Sequence, residues 1–259
     1  MLSADYHNHP QAHRTDLPYS NKVLEPWAIK ATELGLKDIA FTDHDRYKEG
    51  FDFDEIYKIQ EKYPSIKFRA GIELDNDPET SIDGHKWVEK NYDELDFVLG
   101  SVHFVKDFPF DHPHYIKEYD NYDINDLYRE YYKNLRTIAG TGLVDSMAHL
   151  DLIKIFKFFP TEDMAEVYDE TLSFIKEKDL SIEISTAGLR KPIGEIYPSK
   201  EIVQMAKTKG ITFTIAGDAH APQDLSHNYD KLEEFLKEMD ISEVAVYEKH
   251  QRQMIPALI

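Results

Sequence analysis

One pattern recurs along this sequence: a short apolar run, rich in Val, Ile and Phe, is followed by a longer polar stretch with helical spacing. A short strand-like run, LSADY, comes first and closes on His7 and His9. The apolar runs that follow it are KDIAFT, IKFRAGIEL, DFVLGSV, DSMAHL, LSIEIS, ITFTIAG and SEVAVYE. Runs of this length and composition are typical of buried strands. Because most of them are separated by helix-like segments, the pattern predicts a largely parallel sheet in an α/β fold.

The stretches between the runs carry helix signals. In the first of them, Pro26 suits the first turn, Trp27, Ala31 and Leu34 fall on one face, and Gly35 fits the end. Five further segments are predicted to be helical, namely DEIYKIQEKY, INDLYREYYKNLRTIA, TEDMAEVYDETLSFIKEK, SKEIVQMAKTKG and YDKLEEFLKEMD.

Repeats, low-complexity tracts and linkers are absent from the sequence, and we therefore predict a single domain over residues 1–259. A long irregular stretch, residues 106–122, contains two prolines and two histidines. We expect it to cross one end of the fold and not to mark a domain boundary.

The charge balance excludes some partners. With 49 acidic against 30 basic residues, the chain has a formal net charge of -19, which would repel nucleic acid and an anionic membrane surface. The chain has no cysteine, so disulfides and thiolate metal sites are excluded. No apolar signal segment follows Met1 and no long apolar span occurs, so we expect a soluble cytoplasmic protein. The oligomeric state is left open.

Ionisable side chains follow the predicted strands at the point where each strand ends. They are, in chain order, His7 and His9, Asp43 and His44, Glu73, His103, His149, and finally Asp218 and His220. In a closed barrel of parallel strands these ends meet on one face, where the βα loops build active sites. The sequence therefore predicts that these side chains share one site.

Each of these residues alone would be an ordinary structural histidine or a solvated charge. Together they would crowd several ionisable groups at one place, which is costly unless something binds them. Histidine nitrogen with carboxylate oxygen and no thiolate suits Zn, Mn or Fe(II), and the number of ligands exceeds what one tetrahedral ion needs. We therefore expect two or three divalent ions.

The segments DYHNH, FTDHD, GIELD, GSVHF, MAHLD and GDAHAP together resemble the motifs of the PHP (polymerase and histidinol phosphatase) superfamily, in order and over nearly the whole chain. FPFDHP and ISTAGLRKPIGEIYPS further resemble its histidinol-phosphate phosphatase branch. The resemblance implies a distorted, TIM-like (β/α)7 barrel with a trinuclear metal centre.

Carried over residue by residue, the resemblance implies a ligand set for each ion. The first ion would be held by His7, His9, Glu73 and Asp218. The second would be held by Glu73, which bridges the two ions, together with His103 and His149. The third would take His44, His220 and one more histidine.

That last ligand departs from the family pattern, because the family usually has a histidine where this chain has Thr15. His13 is the nearest substitute, Asp16 is an alternative, and the third site could also be weak or empty. The remaining histidines that match no ligand motif are expected on the surface or in loops. They are His85, His112, His114 and His227.

The reaction expected of such a site is phosphomonoester hydrolysis. Two divalent ions can bridge a water, lower its pKa toward neutrality and clamp the oxygens of an in-line displacement at phosphorus. The resemblance then implies L-histidinol phosphate as substrate, with L-histidinol and phosphate as products, late in histidine biosynthesis. The leaving oxygen needs a proton donor, for which Asp218 and His220 are both candidates.

Basic residues near the strand ends are candidates for binding the phosphate. Arg190 follows the sixth strand and its guanidinium matches phosphate oxygens with two parallel hydrogen bonds. Lys191 is next to it, and Lys154 is a second choice. The amine of the substrate would be met by a carboxylate, either Glu195 or Asp151.

Three alternative functions remain open at this stage. The chain could be a PHP-type phosphoesterase or nuclease acting on another small phosphate ester or on oligonucleotides, although it lacks a basic stripe. It could be an amidohydrolase, a class that also opens with His-x-His and closes with a strand-end Asp. It could also be a non-catalytic, regulatory PHP domain that only binds metal.

Overall fold

A computed structural model describes residues 2–258 of the chain. Within that range seven parallel strands form one sheet in the order β1-β2-β3-β4-β7-β8-β9. The strands are β1 (Ala4–Asp5), β2 (Asp38–Phe41), β3 (Lys67–Leu74), β4 (Phe97–Gly100), β5 (Phe104–Val105), β6 (Phe108–Pro109), β7 (Ser146–Met147), β8 (Ser181–Ser185), β9 (Phe213–Ala216), β10 (Glu243–Glu248) and β11 (Gln251–Pro256). The helices are α1 (Asn21–Leu34), α2 (Phe53–Lys62), α3 (Ser81–Asn91), α4 (Ile124–Ala139), α5 (Ala165–Glu177), α6 (Lys200–Thr208) and α7 (Tyr229–Glu238).

The sheet closes on itself between its first and last strands. The backbone N–H of Tyr6, just after β1, donates to the carbonyl of Ile215 in β9 at 3.0 Å, and that of His9 donates to Ala219 at 2.8 Å. The result is a nearly closed barrel of seven parallel strands with helices between them. The predicted distorted (β/α)7 barrel is confirmed.

The last apolar run, SEVAVYE, forms a strand, but this strand lies outside the parallel sheet. It is β10, which pairs antiparallel with β11 in a hairpin. Tyr247 of β10 donates its backbone N–H to the Tyr6 hydroxyl at 2.8 Å and its own hydroxyl to the Asp145 carbonyl at 3.2 Å. Because Asp145 precedes β7, the hairpin covers the end of the barrel where the strands begin.

The predicted helical segments correspond to α1, α2, α4, α5, α6 and α7, with small differences in the bounds of all but α4. Helix α1 begins at Asn21, so the placement of Pro26 in the first turn was wrong and Pro26 lies inside the helix. Gly35 does end α1, in the left-handed conformation (φ 72) that glycine adopts without steric cost. None of the helices within residues 2–258 is long and apolar enough to span a membrane.

The irregular stretch 106–122 crosses the end of the barrel where the strands finish. Its middle forms a short helical turn, Pro113–Asn121. The Tyr119 hydroxyl holds the stretch down by donating to the carbonyls of Phe110 and Ile153, at 3.1 and 3.3 Å. One apolar core cluster includes residues from Leu2 to Ala257, and the single domain over 1–259 stays a prediction because Met1 and Ile259 lie outside the described residues.

Helix α3 was not predicted, and Gly84 in its second turn is one reason. A Cβ built on Gly84 would lie 1.9 Å from Oδ2 of Asp45, a carboxylate that is itself fully buried. The residue with the weakest helix preference after proline is therefore required here by packing. The buried Asp45 carboxylate leaves no room for a side chain on this face of α3.

We expect Gly84→Ala to destabilise the protein by about 1–3 kcal/mol, because the added methyl group must displace Asp45. An ordinary glycine-to-alanine change inside a helix would instead stabilise it by about 1 kcal/mol. Urea unfolding of the variant against the parent measures the sign. Glu89→Ala, at an exposed position of α3, is the control and should stay within about 0.5 kcal/mol. A gain in stability for Gly84→Ala would contradict this packing argument.

Candidate metal centre

A cavity of about 90 Å³ opens at the end of the barrel where the strands finish. All nine residues expected as metal ligands line it, namely His7, His9, His13, His44, Glu73, His103, His149, Asp218 and His220. Of the other residues that line the cavity, Arg46, Asp111, Leu152, Ile155, Ala187, Lys191 and Tyr197 have no place in the expected ligand set. The strand ends thus bring together the side chains that the sequence placed in one site.

The carboxylate of Glu73, near the end of β3, lies at the centre of this group and is fully buried. Its Oε2 is 3.3 Å from Nε2 of His7 and 3.6 Å from Nε2 of His9. Its Oε1 is 3.4 Å from Nε2 of His149 and 3.8 Å from Nε2 of His103. Nδ1 of His44 is closer still to Oε2, at 2.8 Å. The two oxygens therefore face different sets of histidines, which is the arrangement a bridging carboxylate needs.

Asp218 completes the group on the Oε2 side of Glu73. Its Oδ1 lies 3.3 Å from Nε2 of His9 and 3.8 Å from Nε2 of His7. Ligand atoms about 2.0–2.2 Å from a four-coordinate zinc ion lie about 3.3–3.6 Å from one another. The spacings among these four residues match that value closely enough to hold one ion between them.

A second group of nitrogen atoms lies at the mouth of the cavity. Nε2 of His13 is 3.1 Å from Nε2 of His44 and 2.7 Å from Nε2 of His220. His13 and the preceding Ala12 both have positive φ angles, 60 and 48, which turn the chain back toward the cavity. Asp16, the alternative ligand, is exposed and pairs with Arg14 at 2.6 Å, so the structure brings His13 and not Asp16 to this group.

Several of these buried atoms have no hydrogen-bond partner within the described chain. They include Nε2 of His7 and both carboxylate oxygens of Glu73, although the atoms lie only a few ångströms apart. Leaving buried polar atoms unpaired costs about 1–3 kcal/mol each, and more for charged groups. A divalent cation would satisfy them, and a set of histidine nitrogens and carboxylate oxygens fits Zn, Mn or Fe(II).

The two carboxylates of the group are held in their charged form. Burial alone would raise the pKa of Glu73, but the imidazoles of His44 and His7 outweigh it and hold that pKa well below its usual value. Burial opposes ionisation of Asp218 in the same way, and His7 and His9 again lower its pKa. Both groups are therefore anionic near neutral pH, as metal ligands must be.

The two histidines of the His-x-His pair differ in protonation. Burial, with the neighbouring His220, lowers the pKa of His9 well below its usual value, so His9 is neutral. For His7, burial also lowers the pKa, but the carboxylates of Glu183 and Glu73 outweigh it and raise the pKa. Binding of a cation at His7 would consequently release a proton.

Two carboxylates close to the site were missed from the sequence. Nδ1 of His7 contacts Oε2 of Glu183, in β8, at 2.7 Å, and Nδ1 of His103 lies 3.0 Å from Oδ2 of Asp75. The sequence did contain a signal for both, because side chains two residues apart on a strand point to the same face. Asp75 is two residues after Glu73, and Glu183 alternates with apolar residues in LSIEIS.

Asp43, expected among the strand-end residues of the site, contacts the loop that carries the first histidines. Its carboxylate accepts hydrogen bonds from the backbone of Gln11 at 3.1 Å and from the Tyr19 hydroxyl at 2.9 Å, and it lies 3.9 Å from Nδ1 of His9. It is not among the residues that line the cavity. Asp43 thus anchors the loop that carries the first histidines.

The residues expected to bind substrate are placed differently from one another. Lys191 lines the cavity. Nη2 of its neighbour Arg190 donates to the backbone carbonyls of Gly217 and Asp218, at 2.6 and 2.9 Å. Arg190 is therefore bonded to the segment that carries Asp218, and it is not among the cavity-lining residues.

Lys154 and the two carboxylates considered for the substrate amine bind one another. Nζ of Lys154 lies 2.8 Å from Oδ2 of Asp151 and 3.0 Å from Oε2 of Glu195. None of the three is among the residues that line the cavity. These contacts make Lys154 a link between two loops.

The four histidines expected outside the site do lie outside the cavity lining. His112, His114 and His227 are exposed, and His85 is half-buried on α3.

Comparison with known proteins identifies the family of the chain. The family model described as the PHP domain matches residues 5–187 of the chain. The chain belongs to the PHP domain family. Among PHP relatives, the "Probable histidinol-phosphatase" of Deinococcus radiodurans is 32% identical over 219 residues, covering 78% of this chain and 82% of the relative. The "Histidinol-phosphatase" of Bacillus subtilis is 24% identical over 249 residues, covering 82% and 92%.

A solved structure has the same fold. It is the histidinol phosphate phosphatase of Lactococcus lactis subsp. lactis Il1403, solved in complex with zinc, L-histidinol and phosphate. The superposition has a TM-score of 0.77 at 21% identity and covers 97% of this chain and 99% of that one. The likeness supports the barrel architecture of the PHP domain over almost the full length of the chain.

We expect His13→Ala to lower the bound metal by about one equivalent per chain, because only the group at the cavity mouth loses a ligand. Metal analysis of the purified variant against the parent measures this. Asp16→Ala is the matched control, since Asp16 belongs to the same loop but points to Arg14, and its metal content should be unchanged. Loss of metal in Asp16→Ala but not in His13→Ala would make Asp16 the ligand of the third site.

Proposed function

We propose that this chain is a metal-dependent phosphomonoesterase that hydrolyses L-histidinol phosphate to L-histidinol and phosphate. The observation that carries the proposal is the cluster around Glu73, which joins two groups of histidines through the two oxygens of one buried carboxylate. The similarity to histidinol-phosphatases over most of the chain supports the choice of substrate.

The residues that would hold the ions divide into three sets around the cavity. The sets are His7, His9, Glu73 and Asp218; Glu73, His103 and His149; and His13, His44 and His220. Divalent ions bound there would neutralise charge on the phosphate and acidify the attacking water. Because the chain has a net charge of -19, a dianionic substrate needs such a local positive potential.

For the phosphate we assign a direct contact to Lys191, which lines the cavity together with Arg46. Arg46 is partly engaged, with Nη1 3.4 Å from Asp77 and Nη2 3.8 Å from Asp75. Arg190 acts through the backbone: by binding the carbonyls of Gly217 and Asp218 it holds the segment that carries Asp218. In this assignment Lys191 binds substrate and Arg190 is a positioning residue.

The proton for the leaving oxygen is assigned to Nδ1 of His220. Asp218 is anionic near neutral pH and holds no proton itself, but both residues line the cavity and Nδ1 of His220 lies 3.6 Å from Oδ1 of Asp218. A donor in the cavity lining meets the geometric requirement that comes first for a general acid.

The part of the cavity wall outside the ligand set suits the rest of the substrate. Leu152, Ile155 and Tyr197 supply apolar surface for an imidazole ring. Asp111 is a lining carboxylate outside the candidate ligand set, and we assign it to the substrate ammonium group. It takes the place that Glu195 and Asp151 were expected to fill, because both of those pair with Lys154.

We expect the purified protein to release phosphate from L-histidinol phosphate faster than from other small phosphomonoesters, since that substrate combines an ammonium group for Asp111 with an imidazole ring for the apolar wall of the cavity. A phosphate-release panel that also contains a labelled oligonucleotide and an amide substrate measures the preference. Glu73→Gln is the control, because it removes charge from the shared ligand and should lose metal and turnover together. Cleavage of the oligonucleotide or the amide, without phosphate release from the monoesters, would contradict the proposal and favour a nuclease or an amidohydrolase.

Substitutions at Lys191 and Arg190 should separate substrate contact from positioning. We expect Lys191→Ala to lower kcat/KM about 10- to 100-fold at unchanged metal content, the effect of a lost charged hydrogen bond of about 1.5–3 kcal/mol. Arg190→Ala should lower both kcat/KM and metal content, because the carbonyl of Asp218 loses its donor. Lys157→Ala, at an exposed position, is the control. If Lys191→Ala kept full activity, and Arg190→Ala lost activity but kept its metal, Arg190 would be the phosphate contact.

A further inference from the structure

Glu183 carries a charge into the interior of the barrel. It lies in the middle of β8, and its side chain is fully buried. Side chains two residues apart on a strand point the same way, and the hydroxyl of Ser181, two residues earlier, contacts the Tyr247 hydroxyl inside the barrel at 2.6 Å. Glu183 therefore points to the barrel axis, one layer above the hairpin residue.

The two oxygens of Glu183 have different partners, both on strands that supply candidate ligands. Oε2 lies 2.7 Å from Nδ1 of His7, after β1. Oε1 accepts the backbone N–H of His149, after β7, at 3.2 Å. Glu183 is not among the residues that line the cavity, so within residues 2–258 it meets the site through these two contacts.

An imidazole that donates from Nδ1 keeps its Nε2 lone pair free for a ligand bond. With Nδ1 of His7 directed to Glu183, Nε2 of the same ring faces Glu73 at 3.3 Å and Asp218 at 3.8 Å. A carboxylate behind a ligating histidine fixes its tautomer and ring orientation. The hydrogen bond to His149 fixes at the same time the backbone of a residue that faces the other oxygen of Glu73.

We propose that Glu183 is a positioning residue of the metal centre, which holds His7 and His149 on the two sides of Glu73. The inference rests on the proposed metal centre. It also gives β8 a role there. The end of this strand supplies no candidate ligand, but the strand supplies the carboxylate that aligns one ligand after the adjacent β7 and one after β1, on the far side of β9.

The chain offers a matched control in Asp145, at the opposite end of the barrel. Its carboxylate is buried as well, accepts the backbone N–H of Val98 at 2.7 Å and lies 2.8 Å from Nδ1 of His250. Asp145→Asn therefore removes the same charge and the same two kinds of contact as Glu183→Gln. It leaves the candidate ligands untouched.

Zinc affinity, measured by competition with a chelator, is the test. We expect Glu183→Gln to weaken zinc binding by about 10- to 100-fold and Glu183→Ala to weaken it at least as much. Asp145→Asn should bind zinc within twofold of the parent, even where thermal unfolding shows a similar loss of stability. The ring N–H proton of His7 in the zinc-loaded protein, observed by NMR after histidine labelling, should exchange slowly in the parent and Asp145→Asn and rapidly in Glu183→Gln.

The outcomes separate this inference from the proposed function. If the parent protein bound no zinc, the metal centre itself would fail, and the role of Glu183 with it. If the parent bound zinc, and both Glu183 variants bound it with an affinity within twofold of the parent, the role of Glu183 alone would be overturned. Equal weakening in Glu183→Gln and Asp145→Asn would also overturn it, because general destabilisation would then account for the loss.

Discussion

The negative charge of Glu73, fully buried in the barrel, is the constraint to which the rest of the structure responds. A carboxylate removed from water is costly unless other groups replace the lost hydration. Here His7, His9 and His44 face one oxygen, and His103 and His149 face the other. These five histidines follow four strands, so the closure of the sheet between β1 and β9 is what makes their convergence possible.

The existence and location of this site could be predicted because parallel strands that end in His, Asp or Glu must deliver those residues to one face. Local pattern was sufficient for His7, His44 and Glu73, since each lies within two residues of the end of a predicted strand. The family model over residues 5–187 and the relative at 32% identity confirm the PHP family that the motifs indicated. His13 was harder to place, and only the reversal of the chain at two positive φ angles brings it to the cavity.

The features that were missed depend on contacts between segments distant in the sequence. Glu183 looks like any alternate residue of a strand until the closure of the barrel places His7, after β1, beside it. Helix α3 was overlooked because Gly84 weakens the local helical signal. A glycine is required at that position because Asp45, a residue of another element, packs against it. The sequence placed Arg190 near the catalytic end of the barrel. It gave no sign of the hydrogen bonds from Arg190 to the carbonyls of Gly217 and Asp218.

The order of the strands also bears on how the protein acquires its ions. The group around Oε2 of Glu73 joins His7 near one end of the sequence to Asp218 near the other, so it depends on contacts of very long sequence separation. Such contacts form late in folding, because the entropy of closing the chain must be overcome first. Partly folded chains would present isolated histidines and carboxylates that bind cations weakly, and tight, selective loading would begin only once β9 had docked beside β1.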